Sequence, residues 1–292
     1  ELSRAVPLFS WLGKPWLVST GSALAKLALA LRIPLGWAMR PTVYAQFCGG
    51  ESIGDSEGTI AKLAAHGVRT ILDYSAEGQT DESDLDHTCS EVLATIQAAD
   101  GDARHAFAVF KVSGLSSNAL LEKVGRSLRG EAELTSEEHA AWERVQARVR
   151  TLCEATHQAG GRIMVDAEES WIQDAIDAVA EDMMSDYNRD KVVVFNTVQM
   201  YRHDRLSYLK DMAARAQEAG HLAGVKLVRG AYMEKERSRA EERGYPSPIQ
   251  PDKASSDRDF DAAVDWVLDH LDQVHLVAGS HNEASNLRLC EG

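Results

Sequence analysis

From about residue 55 onward the chain alternates two hydrophobic rhythms. Short runs rich in β-branched and apolar residues read as strands: 68–74 (VRTILDY), 107–112 (FAVFKV), 162–166 (RIMVD), 192–198 (VVVFNTV), 225–229 (VKLVR) and 274–278 (VHLVA). Between them lie longer segments with apolar positions three and four apart, such as 140–159 and 206–219, which read as amphipathic helices. Gly160-Gly161 and Gly220 supply helix stops. Strand then helix, repeated, predicts a parallel α/β sheet.

Two architectures satisfy that order, an open doubly wound sheet and a closed (β/α)8 TIM-type barrel. The polar residues favour the barrel. Lys111, Asp166, Gln199, Arg229 and His281 fall at or just past the C-terminal ends of five different predicted strands, the face on which barrels build their sites. The pattern yields six strand–helix units before Gly292. The expectation is therefore a barrel whose last strands and final helix are absent from this chain, its exposed edges completed by a missing C-terminal segment or a second chain.

Ahead of the barrel, residues 17–38 are apolar but interrupted by Lys26, Arg32 and Pro34, which suits a helical arm packed on the domain better than a membrane span. This partition gives residues 1–55 as an N-terminal helical arm and 56–292 as the barrel. With Glu1 rather than Met at the start, a targeting peptide ahead of it stays open.

Composition changes the picture in two ways. A formal net charge of −14 over 292 residues argues against a nucleic-acid partner, while leaving room for a local basic pocket around one small anion. The cysteines Cys48, Cys89, Cys153 and Cys290 are scattered, with no His at zinc-ligand spacing, and read as free thiols with no metal site. No HExxH, GxSxG, GxGxxG or P-loop pattern occurs. Gly49, Gly50, Gly54 and Gly58 lack the Lys-Ser/Thr of a phosphate loop and read as turn residues.

The most unusual stretch is KLVRGAYMEKER, residues 226–237. Its first half has the pattern of a buried strand, yet Lys226 opens it and Arg229 sits inside it, where an unpaired charge costs several kcal/mol. Paired cations followed by Gly230 and Ala231, which let a ligand approach the backbone, suit a pyrophosphate. Ser280, His281 and Asn282 offer further donors after the sixth strand. Lys111 is a candidate carboxylate-binding cation or Schiff-base nucleophile, Asp166 a pocket carboxylate or a helix N-cap, and Gln199 an amide for a ring edge.

KLVRGAYMEKER, together with FKVSGL, MVDAEES, FNTVQMY and VAGSHN in that order, resembles the flavin-dependent proline dehydrogenases over residues 42–282. FCGGES at residues 47–52 is similar to the family's monofunctional bacterial and mitochondrial-type members. The resemblance implies an FAD-containing (β/α)8 barrel that oxidises L-proline to Δ1-pyrroline-5-carboxylate and passes electrons to a membrane quinone. It implies Lys111 on the substrate carboxylate with Tyr232 beside the substrate, and Asp166 and Lys226 as catalytic-pocket residues. Ala167, Gln199, Lys226, Arg229, Gly230, Ala231, Ser280 and His281 would hold FAD. The family's final helix supplies an arginine pair for the substrate carboxylate, and no matching segment follows Gly292. The implied setting is cytoplasmic, with a peripheral contact to the inner membrane, or mitochondrial in a eukaryote. Two readings of other classes stand beside it: a Schiff-base lyase or aldolase using Lys111, and a non-catalytic barrel fragment.

Overall fold

The computed structural model describes residues 48–74, 76 and 78–292, together with isolated positions before residue 48. Most of the arm expected over residues 17–38 therefore lies outside the described residues. The chain divides into two compact units, residues 1–68 and 69–292. In the first, helix α1 (Ile53–Ala64) begins at Ser52, whose hydroxyl accepts the backbone N–H of Asp55 at 3.1 Å. This cap corrects the reading of the glycine cluster: Gly54 and Gly58 lie inside α1, because the Ser52 cap and Asp55 in the first turn outweigh their poor helix propensity.

The second unit contains one parallel sheet whose six strands pair in chain order: β1 (Thr70–Leu72), β2 (His105–Lys111), β3 (Ile163–Asp166), β4 (Val194–Gln199), β5 (Ala223–Val228) and β6 (Val274–Gly279). Each corresponds to one predicted run, with ends moved by at most two residues. Helix α2 (Glu82–Ala99) crosses from β1 to β2, α5 (Ser170–Tyr187) from β3 to β4, and α6 (Arg205–Glu218) from β4 to β5. The other two crossovers carry two helices each. Helices α3 (Asn118–Leu128) and α4 (Ser136–Gln158) join β2 to β3, while α7 (Met233–Arg243) and α8 (Lys253–Leu268) join β5 to β6; α9 (Glu283–Glu291) follows β6. Gly160 and Gly220, just past α4 and α6, have φ of 68° and 73°, the left-handed stop that glycine adopts at little cost.

Alternation along the strands sorts the core. One face carries Phe110, Ile163, Val165, Val194, Val225 and Leu227 into the large cluster built with Leu152, Ile176 and Phe260 of the helices. The other face carries Val109, Met164 and Phe195, packed with Phe107, Leu222 and Val277 into a smaller cluster. Phe107 and Phe195 meet edge to face at 5.4 Å. Residues at the ends of β2 and β6 line one cavity. In a flat sheet those strands would stand about 19 Å apart, so the sheet curls.

Buried polar groups fix the outer side of β4. Asn196 donates to Asp177 at 2.8 Å and to the Tyr208 hydroxyl at 2.9 Å. Asp177 also accepts from Arg205 at 2.8 Å and from Gln173 at 2.9 Å, and the Arg205 guanidinium lies 3.7 Å from the centre of the Tyr208 ring. Arg205 and Asp177 are almost without solvent, so each needs the other's charge.

Candidate active site

Because every strand runs the same way, their C-terminal ends share one edge. Lys111 and Asp166 close β2 and β3 and are register partners; Gln199 closes β4. The run Arg229-Gly230-Ala231-Tyr232 leaves β5, and Ser280-His281 leaves β6. All of these, with Ala167 and Lys226, line a single cavity of about 690 Å³. Its size suits a small molecule or cofactor.

Both cations of the unusual strand have partners within the protein. Lys226, two residues before the end of β5, donates its ammonium to Asp166 at 2.5 Å, across the sheet's inner face. Asp166 is thereby a pocket carboxylate; the residue capping α5 is Glu169. Arg229 lies just past β5. Its Nε donates to Asp257 at 2.6 Å, and its terminal nitrogens donate to the hydroxyls of Ser280 at 2.7 Å and Ser285 at 3.0 Å. The guanidinium also covers the Phe260 ring at 4.4 Å. Lys253 and Arg229 together hold the Asp257 carboxyl below the usual carboxylate range. Arg229 is therefore a pre-aimed fork, and each terminal nitrogen still has a second N–H to offer.

These pairings do not neutralise the cavity. Its lining sets four cationic side chains, Lys111, Lys226, Arg229 and Lys253, against the one carboxylate of Asp166. That local excess, in a chain of net charge −14, favours an anionic ligand.

Gly230 has a φ of 136°, and a Cβ there would run into the ring of Tyr201. This position therefore requires glycine, whose bare backbone forms part of the wall. Two buried polar atoms of lining residues, Thr197 Oγ1 and Gln199 Oε1, lack a protein partner among the described residues. Gln199 is nevertheless oriented, since its amide nitrogen donates to the Glu168 carbonyl at 3.0 Å.

The charged second half of the motif forms α7, which holds the loop bearing Tyr232. Wholly buried Glu236 accepts from the Ser170 backbone N–H at 2.5 Å and from its hydroxyl at 2.6 Å, satisfying the start of α5. Lys235 pairs with Glu169, while Arg239 pairs with Glu122 at 2.6 Å and lies over Trp171 at 4.1 Å. Ion pairs thus dock a helix that buries little apolar surface, with Ala240 its one buried hydrophobic residue.

The structure brings into this cavity all eleven residues that the resemblance implicates in the site, with Asn282 beside them. Sequence reasoning missed Asp257, Lys253, Thr197 and Glu168. Asp257 and Lys253 lie on α8, far along the chain from Arg229, and no local pattern marks them as its neighbours. Glu168 does stand beside Asp166 and Ala167 in the quoted run MVDAEES, but adjacent acids at a helix start have an ordinary capping explanation.

The chain is 34% identical over 240 residues to the carbapenem antibiotics biosynthesis protein CarD of Pectobacterium carotovorum subsp. carotovorum, covering 82% of this chain and 61% of that protein. It is 27% identical over 296 residues to mitochondrial proline dehydrogenase 1 of Dictyostelium discoideum, covering 88% of this chain and 52% of that protein. With hydroxyproline dehydrogenase of Xenopus laevis it shares 28% over 322 residues, covering 98% of this chain and 69% of that protein. The chain thus spans between half and two-thirds of the length of the first two relatives. In fold it is similar to proline utilization A from Bdellovibrio bacteriovorus, with a TM-score of 0.69 at 20% identity, over 83% of this chain and 26% of that one. The family model for proline dehydrogenase matches residues 56–291, almost all of the span that builds the sheet and its cavity, and the chain belongs to the proline dehydrogenase family.

Proposed function

We propose that this chain carries the flavin-binding and substrate-oxidising site of a proline dehydrogenase, converting L-proline to Δ1-pyrroline-5-carboxylate. The observation that carries the reading is the cation-rich cavity at the strand ends, with Arg229 braced by Asp257 and Ser280 around the bare backbone of Gly230. The lining fits FAD chemically. Excess positive charge suits a pyrophosphate, and the unpartnered Thr197 Oγ1 and Gln199 Oε1 suit the polar edge of a ring.

Arg229, Ser280 and His281 would hold the phosphates, Gly230 and Ala231 would allow close backbone approach, and Ala167, Gln199 and Lys226 would border the ring. Bound there, FAD would supply the two-electron acceptor for the hydride leaving proline. Lys111 would hold the substrate carboxylate and Tyr232 would pack beside its ring. Hydride would depart from Cδ, the ring carbon next to nitrogen that bears no carboxylate; the lone pair of the neutral amine would stabilise the developing iminium, which would then lose its N–H proton to solvent to give the imine. Asp166 holds the Lys226 ammonium in a fixed position, and with FAD bound that ammonium would favour the more negative, reduced cofactor.

Closure into an eight-strand barrel, a membrane quinone as final acceptor and a peripheral membrane setting belong to the same proposal. Among the described residues no helix is long and apolar enough to cross a membrane. The proline and hydroxyproline dehydrogenases among the relatives make both ring acids candidate substrates.

The test is cofactor uptake. The purified protein is expected to retain or bind FAD and to form no covalent adduct with carbonyl compounds under borohydride. A protein that binds no FAD yet traps a carbonyl substrate on Lys111 would replace this reading with the Schiff-base one.

A further inference from the structure

Glu168 makes a connection that none of the roles above uses. Its carboxylate accepts the Ser113 backbone N–H at 3.0 Å and, through its other oxygen, the Ser113 hydroxyl. Ser113 lies two residues beyond Lys111, in the single 3-10 turn that follows β2. Glu168 lies two residues beyond Asp166, the register partner of Lys111. The Ser113–Glu168 bonds therefore continue the β2–β3 pairing one step past the end of its backbone ladder. The Glu168 backbone is held as well: its N–H donates to Gln173 Oε1 of α5 at 2.9 Å, and its carbonyl accepts from Gln199 at the end of β4.

Both Glu168 and Ser113 are 2% exposed, so water cannot replace these bonds. A carboxyl so placed costs stability, and burial pushes it up to about 7 although the Ser113 donors pull the other way.

Resting on the reading of Lys111 as the carboxylate-binding cation, we infer that Glu168 is its positioning residue: by clamping Ser113 it fixes the exit of β2 against β3 and β4 and sets where the Lys111 ammonium stands. A lysine stem is long and rotamer-rich, so the placement of its backbone root governs how reproducibly its charge meets a ligand.

The experiment compares flavin-loaded wild type, Glu168→Ala, Glu168→Gln and Ser113→Ala by calorimetric titration with a saturated five-membered-ring carboxylic acid and with its amide. Glu168→Ala is expected to weaken the acid about tenfold and the amide less than about twofold. Glu168→Gln can still accept the Ser113 N–H, and is expected to hold the acid within about threefold of wild type. Equal losses of acid and amide in Glu168→Ala, or a Glu168→Gln as impaired as the alanine variant, would overturn the clamp. If Glu168→Ala does not fold, Glu168→Met, which keeps much of the side-chain volume but gives the Ser113 donors no carboxylate or amide acceptor, carries the same comparison; Ser113→Ala, which leaves the backbone bond in place, is expected to lose less than Glu168→Ala. If wild type binds neither compound, the carboxylate role of Lys111 has failed and the clamp is read separately. Mass-spectrometric mapping after brief treatment with an amine-reactive ester should then show Lys111 labelling changed at least about threefold in the variant relative to exposed Lys191, since a mobile root alters access. An unchanged labelling ratio would overturn the clamp by itself.

Discussion

Replacing Glu168 by Gln should change how stability depends on pH, and the structure gives the sign and size. Burial raises the Glu168 carboxyl from 4.5 to about 7, the Ser113 donors and Lys111 notwithstanding. Below pH 4.5 the group is protonated in both folded and unfolded chains, and its contribution to stability is fully present. As pH rises, the unfolded chain releases its proton first, so stability falls until the folded chain also ionises near pH 7. At about 1.4 kcal/mol per pH unit, this interval corresponds to a loss of about 3 kcal/mol. Glutamine has a similar shape and does not titrate, so urea unfolding of the two proteins, followed by circular dichroism from pH 4.5 to 8 at constant salt, isolates the effect. The variant should gain on wild type by about 3 kcal/mol across that range. Parallel stability curves would mean that Glu168 is solvated or compensated, and the account of its burial would be wrong.

Lys111→Ala should weaken carboxylate-bearing proline analogues about ten- to a hundredfold while leaving FAD affinity nearly unchanged, as expected for one charged hydrogen bond of about 1.5–3 kcal/mol; equal losses for acid and amide analogues would remove the carboxylate role. Lys226→Met keeps a similar stem but strands Asp166, so it should cost about 1–3 kcal/mol of stability and reduce turnover more steeply. Unchanged proline turnover in that variant would show the cation to be misplaced. Gly230→Ala must take up a φ of 136° against the Tyr201 ring, and should cost about 1–3 kcal/mol and lower FAD affinity in a fluorescence titration; a variant binding FAD as tightly as wild type would refute that steric argument.

The strands were legible because parallel strands leave the periodicity of buried β-structure, and the site was legible because polar residues at several strand ends have few other reasons to be there. The short motifs supplied the rest: Lys111, Asp166, Gln199 and Arg229 each close or follow a strand whose pattern is plain. What escaped was long-range pairing. Nothing local to Arg229 announces Asp257, which reaches it only because α8 packs back on β5. The glycine cluster misled because Gly54 and Gly58 lack helix propensity, while the Ser52 cap decides the outcome. The paired helices α3 and α4, and α7 and α8, were also not resolved by periodicity. In α7 ion pairs and the buried Glu236, rather than an apolar stripe, hold the helix in place.

Anaerobic addition of L-proline to the flavin-loaded protein tests the central claim most directly. The account predicts that the flavin absorbance bleaches to the two-electron reduced form, with a slower rate when Cδ, the ring carbon next to nitrogen that bears no carboxylate, carries deuterium. A flavin that stays oxidised in the presence of saturating L-proline and hydroxyproline would contradict it.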